Sequence, residues 1–321
     1  MKADKDVTAK MKVTLIQIDL VMGSRVILSI LKDNGYDARA LQVNVKYTDV
    51  LKKADLEAIF RYSGGARVVG LSFNSFYAPI ARQLAGYLKS RGIEYIIAGG
   101  THATALPDEV IEYADVVVRY EAELTFPRVL ESLGDPDEMG RIKGIVFRKD
   151  GSPVHTDGAP EIVWDLDTLP FQSVDTGLIK YFDLKRKVYT PERRDLFPGA
   201  GGCYFILASR GCPFSCTYCS NSLYHSIDPR FRKVRKRSVD NILSEMSWAA
   251  GKGFKSFYIA DDSFFSFSKP ELEAFGRGYK REIKKPFSVV GLNPKALAAP
   301  EADKKLKILL DCGLSDVRIG V

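Results

Sequence analysis

Cys212-Pro213-Phe214-Ser215-Cys216-Thr217-Tyr218-Cys219 gathers three of the chain's five cysteines into eight residues, in the spacing C-x3-C-x2-C. The run YFILASRG over 204–211 comes directly before it and reads as a strand, so the thiols fall on a loop at a strand's carboxyl end. Cysteines this close cannot staple distant parts of a fold, and five is an odd count, so a disulfide framework is the weaker reading. Thiolates are soft ligands that suit iron-sulfur clusters, zinc or copper. Three on one loop can hold three irons of a cubane and leave the fourth open. Alternatively Cys212, Cys216 and Cys219 bind zinc with His225 as fourth ligand.

The surrounding chain is that of a folded, water-soluble protein. Its 321 residues are 45% hydrophobic and 27% charged, which excludes a disordered chain and leaves room for two domains. No apolar run approaches the roughly 20 residues that span a bilayer, and the start, MKADKD, is a charged tail rather than a signal peptide. A cytoplasmic protein is expected. The net charge of +7 is concentrated in local clusters, which weakens any inference of overall affinity for nucleic acid.

Upstream, residues 11–134 alternate strand and helix patterns. Strands are expected over 12–18, 38–43, 68–72, 95–98 and 116–118, with single helices between them. Strands separated by one helix pair in parallel through right-handed crossovers, so a doubly wound sheet is predicted. Such sheets bind ligands at their carboxyl ends. Those ends carry DLVMG over 19–23, Ser72-Phe73-Asn74, Gly99-Gly100-Thr101-His102 and Tyr120-Glu121-Ala122-Glu123. His102 and Glu121 are candidate contacts on the ligand rim. Ser72 has a plainer alternative as the cap of the next helix.

Residues 135–203 read as a connector containing a β-hairpin with an Asp150-Gly151 turn, and 185–198 as a polar surface crossing or lid. Residues 204–321 return to strand and helix. Ser238 is a good N-cap for a helix whose Val239, Ile242, Leu243 and Met246 share one face. The strand 256–260 closes on Asp261-Asp262, two carboxylates at the strand end where (β/α) barrels keep their chemistry. Alternation favours Asp261 as the inward one. Asn293, after the third strand, is expected to line the cavity. Cys203 and Cys312 read as buried structural thiols.

At this point two resemblances appear. Residues 11–134 resemble the cobalamin-binding domain of corrinoid enzymes: Gly23 fits the end of a D-x-H-x-x-G motif, Ser72 a small polar motif after the third strand, and Gly99-Gly100 the pair that makes room for the nucleotide tail. Counting back from Gly23, Leu20 stands at the histidine position and Ile18 at the aspartate position, which implies cobalamin without a protein histidine on cobalt. Residues 210–219 resemble the cluster motif of radical S-adenosylmethionine enzymes. That likeness implies a 4Fe-4S cluster on Cys212, Cys216 and Cys219, Tyr218 against the adenine, and Asp261 or Asp262 receiving the ammonium of S-adenosylmethionine. Asp165-Leu166-Asp167-Thr168-Leu169-Pro170 resembles the connector that joins the two domains in that family.

The implied architecture is a charged tail (1–10), a doubly wound Rossmann-like cobalamin-binding domain (11–134), a connector (135–203) and the first part of a (β/α)6 radical S-adenosylmethionine barrel (204–321). Four strands stand where the family has six, so a partial barrel is expected, inactive by itself. The implied activity is methyl transfer to an unactivated carbon of a small-molecule or peptide substrate, with a one-electron reductant of flavodoxin or ferredoxin type. Cyclisation or rearrangement uses the same parts, and a radical enzyme without bound cobalamin also stays open. The run 230–237, with six basic residues in eight, leaves a third reading: a zinc-stabilised nucleic-acid-binding module.

Overall fold

A computed structural model describes residues 10–18, 22–185, 188–190 and 202–319. Contacts divide the chain into two compact units: Met1–Val163 with Pro170–Glu192, and Trp164–Leu169 with Arg193–Val321.

The first unit runs β1 (Lys10–Ile18), α1 (Gly23–Asp33), β2 (Tyr36–Asn44), α2 (Lys53–Tyr62), β3 (Val68–Ser72), α3 (Ala78–Ser90), β4 (Tyr95–Gly99), α4 (Thr101–Ala105), α5 (Pro107–Val110), β5 (Val116–Val118), α6 (Thr125–Glu131), α7 (Pro136–Gly140), β6 (Ile145–Lys149), β7 (Ser152–His155), β8 (Ile179–Asp183) and β9 (Val188–Thr190). Its sheet has the order β7-β6-β5-β4-β3-β1-β2-β8-β9. The strands from β5 to β8 in that order are parallel, and β6, β7 and β9 add antiparallel edges. Chain direction across the sheet reverses between β1 and β3, the switch point where doubly wound sheets open a crevice.

One face is apolar to the strand ends. Ile16, Ile18, Leu41, Val43, Val69, Leu71 and Phe73 pack there against Leu56 and Ile59 of α2 and Ile80, Leu84 and Leu88 of α3. Burying a side chain of this size stabilises by about 1.5–3 kcal/mol, so this layer carries much of the unit's stability.

The stretch expected to be a connector is largely part of this sheet. The break at Gly134 begins a helix, because Asp135 accepts from the Asp137 and Glu138 amides and caps α7. The hairpin β6–β7 pairs onto β5, and β8 returns to extend the sheet beyond β2. Sequence alone does not show that a strand after the hairpin has an open edge to join. Within the segment 185–198, residues 186, 187 and 191–198 lie outside the described residues, as do the charged start and Asp19, Leu20 and Val21.

The second unit runs β10 (Cys203–Ile206), β11 (Ser209–Arg210), α8 (Ser220–Ile227), β12 (Arg235–Lys236), α9 (Val239–Gly251), β13 (Ser256–Ile259), α10 (Lys269–Glu282), β14 (Phe287–Leu292), α11 (Pro294–Leu297), α12 (Ala302–Cys312) and β15 (Leu314–Ile319). Strands β10-β13-β14-β15 form a parallel sheet in that order, and β11 pairs with β12 antiparallel. Helix starts are marked in the sequence. Ser238 accepts from the Asn241 amide at α9, and Ser268 with Glu271 forms a capping box at α10 with Pro270 in its first turn.

Candidate cofactor sites

The cysteine loop is fastened on both sides. Before it, β11 pairs with β12, and the Arg237 amide donates to the Ala208 carbonyl. Gly211 has φ +93°, and a Cβ there would stand 2.7 Å from the Lys233 carbonyl oxygen and 2.9 Å from that of Phe231. Only glycine passes under that backbone. After the loop, the Cys219 amide donates to the Cys216 carbonyl at 3.0 Å, and the Ser222 hydroxyl donates to the same carbonyl at 2.6 Å. Cys219 is the N-cap of α8.

Cys212 is buried, and burial pushes its thiol up; the negative charges of Asp262, Cys219 and Cys216 push it further. The three thiols and Asp262 are therefore electrostatic neighbours. Among the described residues, no three His, Cys, Asp or Glu side chains are placed to hold one metal ion. A cubane takes one thiolate per iron. His225, the proposed fourth zinc ligand, is buried on α8, and its pKa is lowered by that burial and by the charge of Arg232. Tyr218 is 78% exposed on the loop.

The two aspartates part company. Asp261, favoured by alternation for the ammonium, is only 2% exposed. Its carboxylate accepts from the Ala208 amide and from the Ser209 hydroxyl, each at 2.6 Å. It ties β13 to the entrance of the cysteine loop. Burial pushes it up to about 7, against the pull of those hydrogen bonds. Asp262 is exposed, and its charge reaches Cys212 and His225. Gly291, at φ +86°, lets β14 cross against the Asp261 carbonyl, where a Cβ would stand 2.1 Å away. Asn293 caps α11 by accepting from the Ala296 amide at 2.8 Å.

The basic run is engaged within its own unit. Arg230 pairs with the buried Asp228 at 2.7 Å, Lys236 with Glu271 at 2.6 Å, and Arg237 with the buried Glu245. Lys233 and Arg235 lie over the Trp164 ring at 5.2 and 6.0 Å. These contacts turn a charge cluster that resembles a polyanion site into a brace beneath the cysteine loop.

In the first unit, Gln17, Ser72 and Gly99 lie side by side on β1, β3 and β4. The glycine pair divides its work. Gly100 has φ +98°, and a Cβ would stand 2.5 Å from the Phe73 carbonyl oxygen, so its own neighbour requires glycine. At Gly99 a Cβ would meet only the Val118 carbonyl oxygen, at 3.5 Å, which leaves space beside Ser72. The helical turn after Ser72 is capped by Asn74, which accepts from the Phe76 amide at 3.0 Å; Ser72 does not cap it.

Thr101 is exposed at the start of α4, and Glu121 is half-buried. His102, expected on the rim, is buried, with Nδ1 3.1 Å from the Ser75 hydroxyl and Nε2 3.6 Å from Glu109. Exposed apolar side chains gather on the same edge: Tyr47 and Val50 follow β2, Phe76 follows β3, Leu106 follows β4 and Leu124 follows β5. The Tyr47 and Phe76 rings lie 5.9 Å apart.

Sequence reasoning missed the buried polar residues of this edge: Gln17, Ser24, Arg25, Gln42 and Tyr181. For Gln17, Gln42 and Tyr181 the signal was a polar group near the end of a strand; Ser24 and Arg25 lie in the first turn of α1 and carried none.

Family comparison decides what these two edges belong to. The B12 binding domain matches residues 18–130, and the Radical SAM superfamily matches residues 206–321. The chain is a radical S-adenosylmethionine protein with a B12 binding domain. The fold of the chain recurs in the solved structure of TsrM, a radical S-adenosylmethionine methyltransferase from Kitasatospora setae. That match has TM-score 0.73 at 17% identity and covers 97% of this chain and 59% of the other.

An uncharacterised methyltransferase of Pyrococcus horikoshii is 28% identical over 177 residues, covering 53% of this chain and 34% of the relative. The anaerobic magnesium-protoporphyrin IX monomethyl ester cyclase of Synechocystis is 24% identical over 240 residues, covering 73% and 43%. The chain thus spans less than half the length of these curated relatives. No helix among the described residues is long and apolar enough to cross a membrane.

Proposed function

We propose that this chain is the cofactor-binding portion of a cobalamin-dependent radical S-adenosylmethionine methyltransferase acting at an unactivated carbon of a small-molecule or peptide substrate. The observation that carries the reading is the cysteine loop: three neighbouring thiols beside an exposed carboxylate, braced on both sides.

Cys212, Cys216 and Cys219 would hold a 4Fe-4S cluster, and the exposed Asp262 would receive the ammonium of S-adenosylmethionine. Asp261 would hold the loop entrance in place, and Tyr218 would meet the adenine. Ser72, Gly99, Gly100 and Thr101 would border the corrinoid. Asn293 would contribute through the α11 turn that it caps. The cluster supplies an electron from a flavodoxin- or ferredoxin-type donor, S-adenosylmethionine a radical, and the corrinoid a methyl group. The protein's own part is to bind and orient these groups and exclude side reactions. The identity of the Synechocystis relative favours one further reading, ring closure with the same cofactors.

Anaerobic reconstitution with iron, sulfide and cobalamin tests the proposal. About four irons and one corrinoid per chain are expected, and Cys216→Ala should lose the cluster. Iron without corrinoid would leave a radical S-adenosylmethionine protein that does not use cobalamin. One zinc without iron would overturn both.

A further inference from the structure

Helix α8 meets the cysteine loop at each of its three thiol-bearing residues. Cys219 is the helix's N-cap, and Ser222, in its first turn, donates to the Cys216 carbonyl at 2.6 Å. His225 follows three residues later, so it shares a face of the helix with Ser222. Its imidazole lies within reach of the main chain at Cys212 and at Phe231. The Phe231 carbonyl belongs to the backbone that roofs Gly211.

The ring is 4% exposed, and neither nitrogen completes a hydrogen bond among the described residues. A neutral imidazole carries one donor and one acceptor, and leaving both unmet out of water is costly. An apolar side chain would fill the same space without that cost. Of the groups that act on the ring, Arg232 and Asp262 are exposed, which leaves the main chain of the cysteine loop and of the roof as its buried polar neighbours.

We propose that His225 is a positioning residue of the cluster site: its ring N–H, donating to the main-chain carbonyl of Cys212, fixes the first thiol relative to the other two. The inference rests on the cluster reading of the loop and adds the residue that ties the buried Cys212 to the helix on which Cys216 and Cys219 are already set. Partners one bond removed from a metal site orient its ligands, and their loss loosens the metal.

The test is the rate at which a chelator strips iron from the anaerobically reconstituted 321-residue chain, with urea unfolding of the cofactor-free chain measured beside it. His225→Leu should lose the cluster about 3- to 10-fold faster than wild type at an unchanged unfolding midpoint. A side-chain amide can stand in for one imidazole N–H, Asn for Nδ1 and Gln for Nε2, so one of His225→Asn and His225→Gln should recover most of the loss. The variant that recovers identifies the donor nitrogen. If His225→Leu does not fold, the difference between the two amide variants carries the test. No acceleration in His225→Leu, or equal acceleration in all three variants, would overturn the inference and leave the cluster reading standing. A wild-type chain that takes up no iron would overturn both.

Discussion

Asp261 is a carboxylate whose hydrogen-bond partners lie far from it in sequence. The alternation along β13 points it inward, as expected, but the donors that meet it are the Ala208 amide and the Ser209 hydroxyl. Those two residues lie 52 and 53 positions earlier, and their proximity exists only after β10 and β13 pair. The folded state keeps the Asp261 proton up to about pH 7, whereas an unfolded aspartic acid loses it near about pH 4. Protonation therefore favours the fold below that lower value, and the benefit disappears as pH rises through the window, at most roughly 4 kcal/mol. Denaturant unfolding of the cofactor-free chain should show stability falling from about pH 5 to about pH 8, with a flatter profile in Asp261→Asn. The same slope in the variant would assign the effect to other groups.

At the level of elements, the cysteine motif was readable because its spacing is local, but its support was not. The run 230–237 looks like a cationic patch until α9 and α10 supply Glu245 and Glu271 and the short segment Trp164–Leu169 of the same unit supplies Trp164. Its backbone then roofs Gly211. Gly211→Ala should cost about 1–3 kcal/mol in the second unit, from a left-handed backbone and a Cβ pressed on two carbonyls. It should also lower iron occupancy after reconstitution while the first unit's corrinoid binding is kept. Full occupancy at unchanged stability would show that the roof yields. The helix caps at Ser238 and Ser268 were legible for the opposite reason, since each partner amide lies three residues away.

On the scale of the whole molecule, the two-unit arrangement was visible in the order of strand and helix patterns, but the boundary was not. Ile179–Asp183 carries no mark that sends it back to β2, and without β8 the register pair of Gln42 and Tyr181 cannot be seen. Ser72 and Gly99 were found because they match a motif; Gln17 and Gln42 needed the register. Histidine placement gives this scale its prediction. In the first unit His102 faces Ser75 and Glu109, His155 pairs with Asp108 at 2.7 Å, and Leu20, outside the described residues, stands where the motif has histidine. Electron paramagnetic resonance of the Co(II) form should show no splitting from a protein imidazole nitrogen, and such splitting would contradict the reading.

The short segment Trp164–Leu169 has a practical corollary. Asp167 accepts from the Ser238 amide at 2.9 Å at the start of α9, and Trp164 lies under Lys233 and Arg235, yet the chain goes back to the first unit for β8 before entering β10. The polypeptide therefore passes between the units three times. A truncation at any single peptide bond either removes β8 and bares the edge of β2, or deprives α9 and the basic run of their brace. No one cut leaves both halves intact.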